Sequence, residues 1–371
     1  MKVCVTGTRG FPGVQGGVET HCEHLYPKLA ELGCQVTAFR RTPYLSSDSP
    51  QEYRGVKFRD LWCPRRMSLE AIFHTALSTI RAAFMRPDVL HIHAVGPALC
   101  VPLARLLGLQ VVVTSQGPDY ARPKWGKRAT RVIKLGERWA ARYADRMIVV
   151  SDAIRRMVKE EYGEDAEVIP NGVELPEGPI GSDRLDQWGL EPGRYVFALG
   201  RFVEEKGFDH LLEAYRGLDT EWKLALAGDA DHPRPHSRYL RRTAEEMDKV
   251  VLTGMVKGKD LQQLYANCGL MVLPSHHEGL PLVLLEALSY GCNVIASDIP
   301  ACRAVPLREE RYVLDGDETA LRQKMEHWMA KGISQTERQE NLDLLRREYD
   351  WGTIARRTLA VYREVVGDIQ E

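Results

Sequence analysis

Ser275-His276-His277-Glu278-Gly279-Leu280-Pro281-Leu282-Val283-Leu284-Leu285-Glu286-Ala287-Leu288-Ser289-Tyr290-Gly291 is the stretch that decides how this chain is read. The apolar run Leu270-Met271-Val272-Leu273 ahead of it predicts a short buried strand. Pro281 suits the first turn of a helix and Gly291 its end, so the whole reads as strand, turn, helix. Glu286 falls inside that helix beside Leu285, Ala287 and Leu288, where an unpartnered carboxylate is costly, and it therefore needs a partner. Glu278 stands on the turn that leads into the helix. Both carboxylates are then expected above the carboxyl ends of the strands, where open α/β sheets bind ligands.

A chain of 371 residues suggests two domains, and 44% hydrophobic with 27% charged residues marks it as globular. Lys2-Val3-Cys4-Val5-Thr6-Gly7 reads as a buried strand running into a glycine turn rather than a signal peptide, so a cytoplasmic location is expected. The 8 cysteines form no Cys-x-x-Cys pair and no Cys/His cluster; they are expected to be reduced, structural thiols, with no zinc site among them. Charge divides unevenly. Residues 1–170 carry 25 Lys+Arg against 17 Asp+Glu, net +8, and residues 171–371 carry 25 against 34, net −9. The first half is thus the better suited to an acidic ligand or a membrane surface.

The first strand runs into Gly7-Thr8-Arg9-Gly10-Phe11-Pro12-Gly13-Val14-Gln15-Gly16-Gly17, with a helix from about Val18 to Leu32. A glycine loop before a helix amino terminus offers backbone N–H groups and a favourable dipole to a phosphate. It is neither a Gly-x-Gly-x-x-Gly fingerprint nor a Walker loop. Arg40-Arg41 end the second strand where a ribose-binding acid would stand, which leaves an NADP-binding Rossmann enzyme as an alternative. Asp88-Val89-Leu90-His91-Ile92-His93 is a strand whose alternation puts both histidines on one side, as core residues, ligand contacts or two ligands of a metal without a third. Asp119, beyond the strand Val111–Ser115, is a turn former or an acceptor-side residue. From Arg122 to Arg146 the chain is expected to be helical, with nine cations facing Glu137 and Asp145 only. That is either a solvated basic face or a patch resting on anionic lipid, worth about 1 kcal/mol per Lys or Arg near the surface. No nucleic-acid module accompanies it, and no nucleic-acid partner is expected. Leu175-Pro176-Glu177-Gly178-Pro179-Ile180-Gly181 is the best linker. Beyond it, Tyr195–Gly200 is a strand from whose carboxyl end Arg201 and Lys206 emerge, and Asp229-Ala230-Asp231 follows a later strand.

The pattern Ser275-x-x-Glu278-Gly279-Leu280-Pro281 followed by Leu285-Glu286-Ala287-Leu288-x-x-Gly291 resembles the Glu-x7-Glu signature of retaining glycosyltransferases of family 4. Further matches follow the family's order: Gly16-Gly17, His93, Gly200-Arg201 with Lys206-Gly207, Val250–Val256, and the tail from Trp351 to Arg363. The resemblance implies the α/β GT-B fold, two facing Rossmann-like domains with parallel sheets and a C-terminal helix crossing back to the first. Residues 1–174 and a helix from about 353 to 371 would form the acceptor-side domain, and residues 175–352 the nucleotide-sugar domain. It further implies retaining, metal-independent hexosyl transfer from a nucleoside-diphosphate sugar, with no cofactor. Arg201, Lys206, Gly200 and Gly16-Gly17 would hold the diphosphate, Glu278 and His93 the sugar, and Glu286 the ribose. Val256 would lie at the base, Gly279 and Leu280 would add main-chain contacts, and Asp119 would stand near the acceptor. Asp229-Ala230-Asp231 falls on the family's Gly-Asp turn and is not expected to bind metal. The text around Thr6–Thr20 is similar to a rhamnosyltransferase-containing bacterial subgroup of cell-surface polysaccharide synthesis. That suggests a glycan or polyprenyl-diphosphate-linked acceptor at the inner face of the cytoplasmic membrane, with Arg122–Arg146 against the lipid. A sugar-nucleotide epimerase shares the fold and is the other alternative. Leu280-Pro281 stand where Phe-Gly is commoner, and Gln116 where many relatives have His.

Overall fold

Apolar runs of four or five residues such as Val89–His93, Val111–Ser115 and Leu270–Leu273 are too short for helices and are buried along their length, as strands covered on both faces must be. The computed structural model describes residues 1–14, 16–46, 48–64, 70–117, 126–230 and 234–367. They divide into two compact units, Met1–Gly172 with Glu348–Glu371, and Val173–Arg347.

The first unit contains β1 (Lys2–Thr6), α1 (Gly17–Glu31), β2 (Gln35–Arg41), β3 (Glu52–Tyr53), β4 (Val56–Leu61), α2 (Glu70–Met85), β5 (Val89–His93), α3 (Val101–Leu106), β6 (Val111–Ser115), α4 (Lys127–Tyr143), β7 (Arg146–Val149), α5 (Asp152–Tyr162) and β8 (Glu167–Val168). Its sheet has the order β3-β4-β2-β1-β5-β6-β7-β8 and is parallel except at the β3–β4 edge. Arg146 therefore opens a strand, and the expected helix from Arg122 to Arg146 is corrected to Lys127–Tyr143. A break is needed between them because β7 must pair with β6, where Val112 lies opposite Arg146. Arg122 and its neighbours up to Trp125, like Asp119, lie outside the described residues.

The second unit contains β9 (Tyr195–Leu199), α6 (Phe208–Arg216), β10 (Lys223–Ala227), α7 (Pro235–Glu245), β11 (Val250–Gly254), α8 (Gly258–Asn267), β12 (Leu270–Leu273), α9 (Leu282–Ser289), β13 (Val294–Ser297), α10 (Pro300–Arg303), β14 (Tyr312–Val313) and α11 (Glu318–Lys331). Its sheet is wholly parallel in the order β11-β10-β9-β12-β13-β14. Counted from β9 this is 3-2-1-4-5-6, the order of nucleotide-binding doubly wound sheets, and its switch point lies between β9 and β12. In the first unit the corresponding reversal lies between β1 and β5.

After α12 (Gln335–Glu348) the chain returns to the first unit as α13 (Trp351–Val366). Asp350 caps it by accepting from the Thr353 N–H at 2.8 Å. Ile354, Leu359 and Tyr362 of α13 share one core with Cys22, Leu25 and Leu29 of α1.

Candidate functional site

Each unit collects its expected ligand residues at its own switch point, as the strand order requires. In the second unit, β9 delivers Gly200, Arg201 and, after a 3-10 turn, Lys206; β12 delivers Ser275 to Glu278. The Lys206 ammonium donates to Glu278 Oε1, which also accepts from the Ser275 hydroxyl at 2.8 Å. Lys206 reaches that carboxylate across Gly200, where a Cβ would sit 3.3 Å from its Cδ. Arg201 is half-buried on the same loop, which the Phe202 N–H anchors to the Asp229 carbonyl at 3.1 Å. The site thus pairs Lys206 with one carboxylate, with Arg201 on the same loop, an arrangement suited to an anion and a hydroxyl-bearing group side by side.

Glu286 has the partner it needs. The Tyr265 hydroxyl on α8 donates to its Oε2 at 2.8 Å, and Tyr265 stacks on Tyr290 with ring centroids 5.4 Å apart. Burial and the neighbouring Glu286 hold the Tyr265 phenol well above its usual pKa, so it remains a donor. Sequence reasoning missed Tyr265, because a contact between side chains of two different helices leaves no mark on the spacing of either. Gly279 is half-buried and Leu280 buried on the loop before α9; Val256 is half-buried after β11.

In the first unit the glycine loop is folded onto itself. Arg9 donates its Nε–H to Glu19 Oε1 and an Nη2–H to Oε2, both at 3.2 Å, and its backbone N–H reaches the same carboxylate at 3.0 Å. Gly16, at φ 150°, is required there, since a Cβ would collide with the Glu19 carboxylate and the Arg9 guanidinium. The N-cap residue Gly16 makes no side-chain cap for α1. The two arginines ending β2 are engaged within the domain: Arg40 with Asp60 at 2.8 and 3.1 Å, Arg41 with Glu70 at 2.9 Å. Both are buried, which removes the expected partner of an NADP 2′-phosphate.

His93 is buried. It stands at the carboxyl end of β5 but is 0% exposed, stacked on His91 at 4.3 Å and sharing a 2.5 Å hydrogen bond between its Nε2 and the Tyr26 hydroxyl. His91 is held in turn by Tyr362 at 2.6 Å and Thr114 at 2.7 Å. Burial, then His91 and His21, keeps the His93 pKa well below the ordinary value, and burial lowers His91 to about 3. His93 is therefore a neutral hydrogen-bonding group and not a proton carrier at neutral pH. Its Nδ1 is buried without a partner. Among the described residues, the side chains whose ligand atoms converge to metal-binding distance are Asp209, His210 and His276, not the His91–His93 pair.

Two α/β units, each built on a doubly wound sheet, have the architecture of the GT-B fold. Residues 15–177 match the family described as Glycosyltransferase Family 4, and residues 193–331 the one described as Glycosyl transferases group 1. Together the two matches make the chain a glycosyltransferase similar to those of family 4. It is similar to TuaC of Bacillus subtilis, a glycosyltransferase named for teichuronic acid biosynthesis, at 27% identity over 67% of this chain and 61% of that protein. It is 28% identical to the phosphatidyl-myo-inositol mannosyltransferase of Mycobacterium leprae over 95% of this chain and 94% of that protein. The structure of Anabaena Alr3699/HepE in complex with UDP-glucose superposes with a TM-score of 0.79 at 17% identity, covering 100% of each chain.

Proposed function

We propose that the chain transfers a sugar from a nucleoside-diphosphate sugar to an acceptor hydroxyl with retention at the anomeric carbon, without a catalytic metal. The observation that carries this reading is the Lys206–Glu278 pair, with Arg201 on the loop that carries Lys206, at the β9/β12 switch point. As the bond between the anomeric carbon and the diphosphate oxygen breaks, negative charge grows on the leaving nucleoside diphosphate. Arg201 and Lys206 stabilise that charge, and the N–H groups at Gly16-Gly17 add to it. Glu278, already fixed by Ser275, takes hydroxyls of the sugar, and Glu286, fixed by Tyr265, takes the ribose. His93, held by Tyr26, contributes a hydrogen bond, and Asp119 serves the acceptor side. Val256, Gly279 and Leu280 line the nucleotide and sugar by their backbone. No other cofactor is needed.

For the acceptor we propose a lipid-linked glycan of bacterial surface polysaccharide, at the inner face of the cytoplasmic membrane, by a rhamnosyltransferase-like enzyme. Support comes from the first unit's surface. Phe73, Leu77, Ile80 and Phe84 form one exposed apolar stripe along α2, and Lys127, Arg128, Arg131, Arg138 and Arg142 are exposed on α4. α3 packs between these two helices and exposes Leu106. Apolar and basic groups side by side suit a helix face lying in an anionic interface. Among the described residues no helix is long and apolar enough to cross a membrane.

Incubation with donor sugars, with and without a polyprenyl-diphosphate-linked glycan, tests the activity. A transferase forms a glycosylated lipid and releases nucleoside diphosphate with the acceptor present. A new sugar nucleotide formed without acceptor would instead identify an epimerase.

A further inference from the structure

Asp209 and His210 open α6, immediately after the loop that carries Arg201 and Lys206; His276 lies between β12 and Glu278. One ligand atom from each of these three side chains falls within 4.8 Å of the other two. Each histidine is oriented by a carboxylate on its Nδ1: Glu318 holds His210 at 2.9 Å and Asp315 holds His276 at 2.5 Å. That leaves each Nε2 for another partner. The Nε2 of His276 points at the start of α6, since a Cβ on Gly207 would lie 3.2 Å from it. Asp209 Oδ1 is buried without a hydrogen-bond partner among the described residues.

A histidine–carboxylate pair at a surface is ordinary, but two of them beside an aspartate with an unpartnered buried oxygen are not. Carboxylates behind metal-ligating histidines fix the tautomer and ring orientation and make the free nitrogen a better ligand. We propose that Asp209, His210 and His276 bind a divalent transition metal, with Zn²⁺ the best match to two imidazoles and one carboxylate. Metal bonds of about 2.0–2.1 Å need tetrahedral ligand atoms about 3.3 Å apart, so shifts of about an ångström close the set; water fills the fourth position. Sequence reasoning passed over the site because His276 is far along the chain from Asp209 and His210 and meets them only through the β9/β12 pairing.

The metal does not take part in transfer. It clamps two loops that already touch: the His276 N–H donates to the Glu205 carbonyl at 2.9 Å, and Gly207, at φ 61°, abuts the Pro274 carbonyl so closely that no Cβ fits. Pinning α6 to the Ser275–Glu278 loop holds Lys206 against Glu278. That consequence rests on the function proposed above, while the metal site itself does not.

The test needs no turnover. Full-length protein stripped with chelator and dialysed is titrated with Zn²⁺ against a chromogenic chelator, and with Co²⁺ for the absorption bands of a tetrahedral nitrogen–oxygen site. One tight equivalent of Zn²⁺ is expected, weakened about 100-fold in His210→Ala and in His276→Ala. It should weaken about 10- to 100-fold in Asp315→Asn, which leaves all three ligands in place and guards against misfolding of the others. Zn²⁺ should also raise the melting temperature of the wild type and not of His276→Ala. Failure of the wild type to bind more tightly than a His210→Ala/His276→Ala double variant, or equal affinity in wild type and both single histidine variants, overturns the proposal.

Discussion

Arg201, Lys206 and Glu278 carry opposite charges on one rigid edge, and each substitution there has its own signature. In the proposed mechanism, Arg201→Ala removes charge stabilisation that grows only as the leaving group departs. Turnover should fall about 10²- to 10³-fold with the donor KM little changed, and steady-state kinetics giving an unchanged kcat would remove Arg201 from the mechanism. Tyr265→Phe acts differently, because in the proposed site Glu286 grips a part of the donor that does not react. A hydrogen bond to a charged group is worth about 1.5–3 kcal/mol, so the donor KM should rise about tenfold or more while kcat holds. The positions of Arg201, Lys206 and Glu278 after strands, and of Glu286 inside a helix, were legible in the sequence from the apolar runs and turns around them. Tyr265 was not, and neither was the Tyr26–His93 bond, since both join side chains of different elements. The sealed position of His93 was hidden as well: alternation tells which side of a strand a residue faces and not what covers that side.

Among the elements, α1 and β5 bring His21, His91 and His93 together in the dry interior of the first unit. Their folded-state pKa values are lowered, to about 4 for His21 and about 3 for His91. The unfolded chain, with histidine near 6.5, therefore binds more protons between these values, and stability falls as the pH drops through about 6.5 and keeps falling towards 4. The slope is at most about 1.4 kcal/mol per pH unit for each histidine. The melting temperature should accordingly decline between pH 7 and 5, and less steeply in His91→Gln; a flat profile would mean that these rings are not buried neutral. Strands β1, β5, β6, β9 and β12 were readable from their apolar runs and the glycine turns after them. The exposed stripe of α2 was not, because Phe73, Leu77, Ile80 and Phe84 have the spacing of a core-facing helix and only the fold shows the neighbour to be missing. The end of α4 was misplaced because Arg142 and Arg146 continue a helical run of cations that the pairing of β7 interrupts.

For the molecule as a whole, the charge asymmetry of +8 and −9 between residues 1–170 and 171–371 gives the membrane proposal a direction. Flotation with phosphatidylglycerol-rich vesicles should retain the chain at low salt, less so at moderate salt, and much less in Phe73→Ser/Phe84→Ser. No flotation at low salt would leave the acceptor a soluble glycan. The GT-B architecture was readable because several motifs occur in one order along nearly the whole chain, whereas donor base, sugar and acceptor are set by side-chain shape that no motif encodes. The central claim, a nucleoside-diphosphate sugar seated on Arg201, Lys206 and Glu278, is tested most directly by thermal shift against UDP, GDP, dTDP and ADP sugars and NADP. At about 100 times its dissociation constant the correct donor stabilises by about 2.7 kcal/mol. The account predicts a shift selective for one nucleotide sugar and lost in Lys206→Ala, whereas a shift with NADP and none with any sugar nucleotide would contradict it.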